Sequence, residues 1–119
     1  MSKHDLQRTL VLIDPDRGVR DALAELLAIE GHEILPAAGV QCAIKHVARA
    51  HPHLVLVAAS LPAIERQRLA LRLKEWATPM IVIGGPPDPA SDQPMVPSPI
   101  DVTRLIALIG SMLGSQGAT

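Results

Sequence analysis

The sequence predicts an α/β domain in which five parallel strands alternate with helices, and three observations carry that expectation. Short runs of consecutive apolar residues recur along the chain: Leu10-Val11-Leu12-Ile13, Leu54-Val55-Leu56-Val57 and Met80-Ile81-Val82-Ile83. A strand apolar on both faces belongs in a parallel sheet covered by helices. Between the runs, apolar residues repeat every three or four positions, the period of an amphipathic helix. Turn residues mark the boundaries, among them Asp14-Pro15-Asp16, Pro36, Pro52 and Gly84-Gly85.

The first strand ends at Asp14-Pro15-Asp16, and Asp16 is positioned to cap the helix that follows. Val19, Leu23, Leu26 and Leu27 fall at i, i+4, i+7 and i+8 on that helix, which Gly31 closes as its C′ residue. Ile34-Leu35 is a short second strand stopped by Pro36. Val40, Ala43, Ile44 and Val47 set a second helix that ends before Pro52, where the third strand begins. Leu69, Leu73 and Trp76 line a third helix, with Arg66, Arg68, Arg72 and Lys74 read as its solvated face. The fourth strand ends at Gly84-Gly85, and Met95-Val96 is a weak fifth. Asp101 then caps a last helix that turns Val102, Leu105, Ile106, Ile109 and Met112 inward.

One unit breaks the alternation. Residues 85–94 show no apolar period and hold too many prolines for a helix interior. The helix expected between the fourth and fifth strands is therefore missing or shortened. Of the eleven prolines, Pro86, Pro87, Pro89, Pro94, Pro97 and Pro99 cluster here, blunting the edge of the sheet. Residues 1–119 read as a single domain, with a core of about 8–114 and a flexible tail over 115–119.

Composition narrows the function. The chain has 119 residues, net charge -1, one tryptophan and neither phenylalanine nor tyrosine. It lacks the basic footprint of a nucleic-acid binder and the aromatic faces on which single strands stack. The apolar stretch from Leu54 to Ile64 is about half the ~20 residues that span a bilayer. The start, Met1 to Arg8, lacks the apolar region of a secretory signal. Cys42 has no partner for an internal disulfide, which suits a reducing compartment. The expectation is a cytoplasmic domain that engages neither nucleic acid nor membrane.

In a doubly wound sheet of order 2-1-3-4-5, ligands bind beyond the carboxyl ends of the strands, between strands one and three. Asp14, Pro15 and Asp16 stand there, with Ala58 to Ser60 after strand three. Gly84-Gly85 and Ser98-Pro99 flank them.

Over about residues 8–114 the chain resembles the receiver domain of bacterial response regulators. Leu12-Ile13-Asp14-Pro15-Asp16-Arg17-Gly18-Val19-Arg20 looks like that family's acidic first loop and first helix. Pro52-His53-Leu54-Val55-Leu56-Val57-Ala58-Ala59-Ser60-Leu61-Pro62 resembles its third strand and the Leu-Pro after the phosphorylation site. Pro79-Met80-Ile81-Val82-Ile83 resembles its fourth strand, and Ser98-Pro99-Ile100-Asp101 its Lys-Pro-Phe segment. The resemblance implies a flavodoxin-like fold and a place in two-component signal transduction.

Receivers accept a phosphoryl group on an aspartate, beside a divalent cation, a lysine and a hydroxyl. By resemblance the nucleophile position is Ala58, whose methyl group cannot accept phosphate. The acidic pair is Asp14-Pro15, the hydroxyl position Gly84, the lysine position Ser98 and the aromatic switch position Met95. Asp14 is at most a weak remnant of a metal site, and no metal or other cofactor is expected. A degenerate, non-phosphorylatable pseudo-receiver follows, not an enzyme but a protein-interaction module. Two alternatives stay open: a phosphoacceptor with a rearranged site, in which Asp16 or Ser60 stands in, and a small-ligand sensor using the strand 1/strand 3 crevice.

The remaining motifs are bland. His46, His51 and His53 lack a dense ligand spacing and read as surface histidines. Gly84-Gly85-Pro86-Pro87 lacks the spacing of a phosphate loop. Cys42 reads as a small buried hydrophobe. The last helix differs: between Val102 and Leu113 only Arg104 is charged, and Ala107 and Leu108 lie outside the inward stripe. With Ser111 they are candidates to contact another protein or a second copy through the fifth strand and last helix. The resemblance also implies a cis peptide before Pro99.

Overall fold

A computed structural model of the chain describes residues 8–86 and 93–117. Its elements run β1 (Thr9–Ile13), α1 (Arg17–Ile29), β2 (Glu33–Ala37), α2 (Val40–Ala50), β3 (Leu54–Ala58), α3 (Ala63–Glu75), β4 (Met80–Ile83), β5 (Met95–Val96) and α4 (Val102–Gly117). All strand pairs are parallel, in the order β2-β1-β3-β4-β5. This is the doubly wound, flavodoxin-like arrangement. Among the described residues no helix stands between β4 and β5, and the middle of that connection, residues 87–92, lies outside them.

The two-residue period of the strands sorts the apolar runs into two cores. Leu10, Leu12, Leu54, Leu56, Ile81 and Ile83 face one side, where Leu23 and Leu27 of α1 and Leu105, Ile109 and Leu113 of α4 cover them. Val11, Ile13, Val55, Val57, Met80 and Val82 face the other, against Ala43 and Val47 of α2 and Leu69 and Leu73 of α3. β3 lies at the centre of the sheet, and all five of its residues are buried. Burying each such aliphatic side chain contributes about 1.5–3 kcal/mol, which is why the centre of the sheet tolerates no polar residue.

Local signals set most boundaries. Asp16 caps α1 by accepting from the Val19 amide at 3.1 Å, and Gly31 closes it at φ +97°. Asp101 caps α4 by accepting from the Arg104 amide at 3.2 Å. The peptide between Ser98 and Pro99 is cis, as expected.

Several expectations need correction. Pro36 does not stop β2 but lies inside it, opposite Leu12. A proline lacks the ladder N–H, and an edge strand such as β2 is where that loss is tolerated. Val19 and Leu26 are 40% and 39% exposed, because α1 seats Leu23 and Leu27 on the sheet and these two flank that line. Cys42 is exposed, since Ala43 and Val47 set the inward face of α2 and Cys42 is turned away by one helical step. Leu108 is half-buried and packs on the core, while Leu113 joins Leu105 and Ile109 on the inward line. α4 continues through Gly117, so the expected tail over 115–119 is helical for most of its length, and 118–119 lie outside the described residues. Among the described residues no helix is long and apolar enough to cross a membrane.

Candidate functional site

The carboxyl ends of β1, β3, β4 and β5 meet at one edge of the sheet and bring Asp14, Ala58, Gly84 and Ser98 to it. Asp14 is buried, at 7% exposure, in the turn between β1 and α1. Its amide donates to the Ala37 carbonyl at 3.1 Å, and its Oδ1 accepts from the Asp16 amide at 2.9 Å. Its own carbonyl accepts from the Arg20 guanidinium at 2.7 Å. Pro15 is exposed beside it, and the Asp16 carboxylate is engaged as the helix cap. Both carboxylates of the loop thus hold backbone amides, a structural use of their charge.

Ala58 ends β3 with its methyl group buried. The chain turns at once: the Leu61 amide donates to the Ala58 carbonyl at 3.2 Å, and the Arg66 Nε donates to the Leu61 carbonyl at 3.1 Å. Arg66 is therefore a strap on this loop rather than part of a solvated face. Arg72 leans over Trp76, 5.0 Å from its ring centre, and pairs with Glu75 at 3.8 Å. Arg68 and Lys74 are exposed, as expected. Ser60 is exposed beyond the turn.

The loops after β4 and β5 are tied to each other. Gly84 and Gly85 both take positive φ, +86° and +75°, which glycine adopts without the Cβ penalty. The Gly84 amide donates to the Val96 carbonyl at 2.7 Å. The Gly85 amide donates to Ser98 Oγ at 3.1 Å, and the Ser98 amide returns to the Gly85 carbonyl at 2.8 Å. A Cβ on Gly85 would lie 2.8 Å from that of Ala59, so the β3 and β4 loops touch backbone to side chain. Met95, opposite Val82 in the ladder, packs half-buried on the α2/α3 face.

This donor set does not fit a hard divalent cation. Magnesium asks for six oxygens in near-octahedral geometry, and here a proline and a methyl group border Asp14, while the carboxylates of Asp14 and Asp16 are each already bound to an amide. A cavity of about 620 Å³ lies elsewhere, between α3 and the start of β4, lined by Ala70, Leu73, Lys74, Pro79 and Met80. It touches none of the four residues at the strand ends.

The three histidines do not converge. His46 Nε2 lies 3.0 Å from the Pro36 carbonyl, His51 is the left-handed C-cap of α2, and His53 Nδ1 accepts from the Thr9 amide at 3.2 Å. The strap roles of Arg20 and Arg66 have no signal in the sequence beyond an arginine shortly after each strand-end turn, where Arg66 reads as part of a solvated face. His32, in the turn between α1 and β2, has no sequence signal either. The Nδ1 of His32 is buried without a partner, and burial lowers its pKa, more than the nearby Glu30 raises it.

On α4, Arg104, Ala107 and Ser111 are exposed, and Leu108 is half-buried against the core. Of the fifth strand, Val96 packs in the same core as α4, while Met95 packs on the opposite face of the sheet.

No protein-family model matches the sequence, and no curated protein matches it. Solved structures do. The signal receiver domain of an HD domain-containing protein from Pseudomonas fluorescens Pf-5 superposes with a TM-score of 0.82 at 22% identity, over 95% of this chain and 99% of that one. The chain has the receiver-domain fold. A two-component response regulator from Clostridium difficile matches with a TM-score of 0.79 at 17% identity, over 90% and 96% of the two chains. The receiver domain of the hybrid histidine kinase CckA matches at 0.72 and 23% identity, over 88% and 98%. At these identities the receiver likeness is one of fold, and the chemistry must be argued from the residues at the strand ends.

Proposed function

We propose that this receiver-fold chain serves signal transduction as a pseudo-receiver, a protein-interaction module that does not accept a phosphoryl group. The observation that carries the reading is Ala58: at the end of the central strand, where the fold's acceptor carboxylate is expected, stands a buried methyl group. A methyl carbon has no lone pair with which to attack phosphorus. The surroundings support the same reading. Asp14 and Asp16 hold amides, and the Ser98 hydroxyl is engaged by Gly85. A lysine that would bind phosphoryl oxygens is replaced there by a side chain too short and uncharged for that role.

The input is then a binding event. The exposed line Arg104, Ala107 and Ser111 on α4 is the surface we assign to another protein or a second copy, and the setting is cytoplasmic. Incubation with acetyl phosphate and magnesium tests the acceptor claim: intact-protein mass spectrometry shows no phosphoryl adduct. An acid-labile, base-labile adduct mapped to Asp14 or Asp16 would overturn it in favour of a rearranged acceptor. For the surface, Ala107→Glu weakens association of the chain with its partner while leaving the unfolding midpoint unchanged. Unchanged association would count against α4.

A further inference from the structure

A parallel sheet is apolar on both faces, and helices cover each of them. The connections that supply α1, α2 and α3 each lay one helix on the sheet, but among the described residues the β4–β5 connection supplies none. α1 and α4 cover one face, and α2 and α3 cover the other. On that second face, among the described residues, the flank of α3 toward β4 has no neighbouring helix. The cavity of about 620 Å³ lies there.

Gln67, Ala70, Leu71 and Lys74 fall at i, i+3, i+4 and i+7, so they share this flank, and Pro79 and Met80 line the opposite wall. Leu71 is 67% exposed although it is a large aliphatic side chain. At 1.5 Å per residue the flank from Gln67 to Lys74 is about 10 Å long, two helical turns. That is the length over which a docked helix presents its anchors at i, i+4 and i+7. Charge narrows the occupant further. Among the described residues that line the cavity Lys74 is the one charged side chain, and it pairs with no carboxylate. The neighbouring Glu75 is engaged by Arg72 at 3.8 Å. α3 as a whole carries Arg66, Arg68, Arg72 and Lys74 against Glu65 and Glu75, so a basic partner meets like charge here.

We propose that this cavity docks an amphipathic helix of a partner protein, with its apolar face on Ala70, Leu71 and Met80 and acidic residues beside Lys74. The partner's helix takes the place on the sheet that a β4–β5 crossover helix would hold. Leu71 is the anchor, and Lys74 selects the sign of the partner's charge. The surface lies on the face of the sheet opposite α4, so the inference does not rest on the Arg104, Ala107 and Ser111 line.

The test is amide NMR of the ¹⁵N-labelled full chain titrated with two peptides of about 18 residues, long enough to hold a helix. Both carry leucine on one face at i, i+4 and i+7 spacing; one has glutamate beside that face, and its twin has lysine. The acidic peptide is expected to give saturable shifts at Ala70, Leu71, Lys74 and Met80 and to bind about fivefold more tightly than its twin. Lys74→Glu inverts that preference and Leu71→Asp removes the binding. Arg49→Glu, the same change of charge on α2, leaves it intact. All three side chains are exposed, and unchanged melting temperatures show that the variants fold. No saturation, equal binding of the twins, a preference that survives Lys74→Glu, or shifts confined to other surfaces overturns the proposal. Decanoate filling the cavity while neither peptide binds overturns it in favour of a small apolar acid. Doubling of the chain's own mass with shifts at these same residues overturns it in favour of a second copy.

Discussion

Replacing Gly85 by alanine probes the contact that closes the site. Two costs add at this position. An L residue at φ +75° meets the left-handed penalty of about 1–2 kcal/mol. The new methyl would also sit 2.8 Å from the Ala59 Cβ, and relieving such overpacking costs about 1–3 kcal/mol. Gly31→Ala is the control: its φ is +97°, but nothing lies within 4 Å of the added carbon, so only the backbone penalty applies. Both changes also stiffen the unfolded chain, which offsets each by about 0.4–1 kcal/mol and cancels in the comparison. The difference between the two variants is then about 1–3 kcal/mol. For a domain of this length each 1 kcal/mol moves Tm by about 4 °C, so Gly85→Ala melts about 4–12 °C below Gly31→Ala. Calorimetry of the two variants measures it. Equal melting temperatures would refute the close approach of the β3 and β4 loops, and with it the closed strand-end edge.

Three further changes probe single interactions. Asp16→Ala removes the cap of α1 and should cost about 1 kcal/mol, seen as a lower urea midpoint at unchanged slope; an unchanged midpoint would mean that the bond to the Val19 amide contributes nothing. Arg20→Met removes the guanidinium from the Asp14 carbonyl, and for a half-buried charged bond the loss is about 1 kcal/mol, with faster amide exchange at Asp16. His32 gives a pH signature. Burial holds its folded pKa below the 6.5 of the unfolded chain, so the unfolded chain takes up the proton first as pH falls. Its stabilising contribution is whole above pH 6.5 and is lost as pH falls through the folded value, and His32→Gln flattens stability against pH in that window. Parallel slopes for variant and wild type would exclude His32 as the source.

Much of the fold was legible because its signals are local and strong. Met80 to Ile83 and Met95-Val96 form strands where the apolar runs lie, Asp16 and Asp101 act as caps where their side chains predict, and Gly31 closes α1 at positive φ. What failed depends on the third dimension. Helical period alone gives α1 a broad stripe of Val19, Leu23, Leu26 and Leu27, but a helix lying on a sheet touches it along a narrower line. Pro36 reads as a strand stop until its edge position is known. Cys42 was placed on the wrong side because one helical step separates inward from outward. At the candidate site, the residues at each strand end were readable from spacing. Their bonds were not, since the Ser98–Gly85 link and the Arg20 and Arg66 straps join residues that no local pattern pairs.

The proposal that this chain accepts no phosphoryl group is tested most directly by amide NMR of the ¹⁵N-labelled chain titrated with magnesium and beryllofluoride, a stable mimic of an aspartyl phosphate. With a methyl group at Ala58 and Asp14 held by the Asp16 amide, the resonances of residues 14–16, 58–60, 84–85 and 98 stay where they are in both titrations. Saturable shifts at those residues that require both reagents together would contradict the reading and restore an acceptor carboxylate to this edge of the sheet.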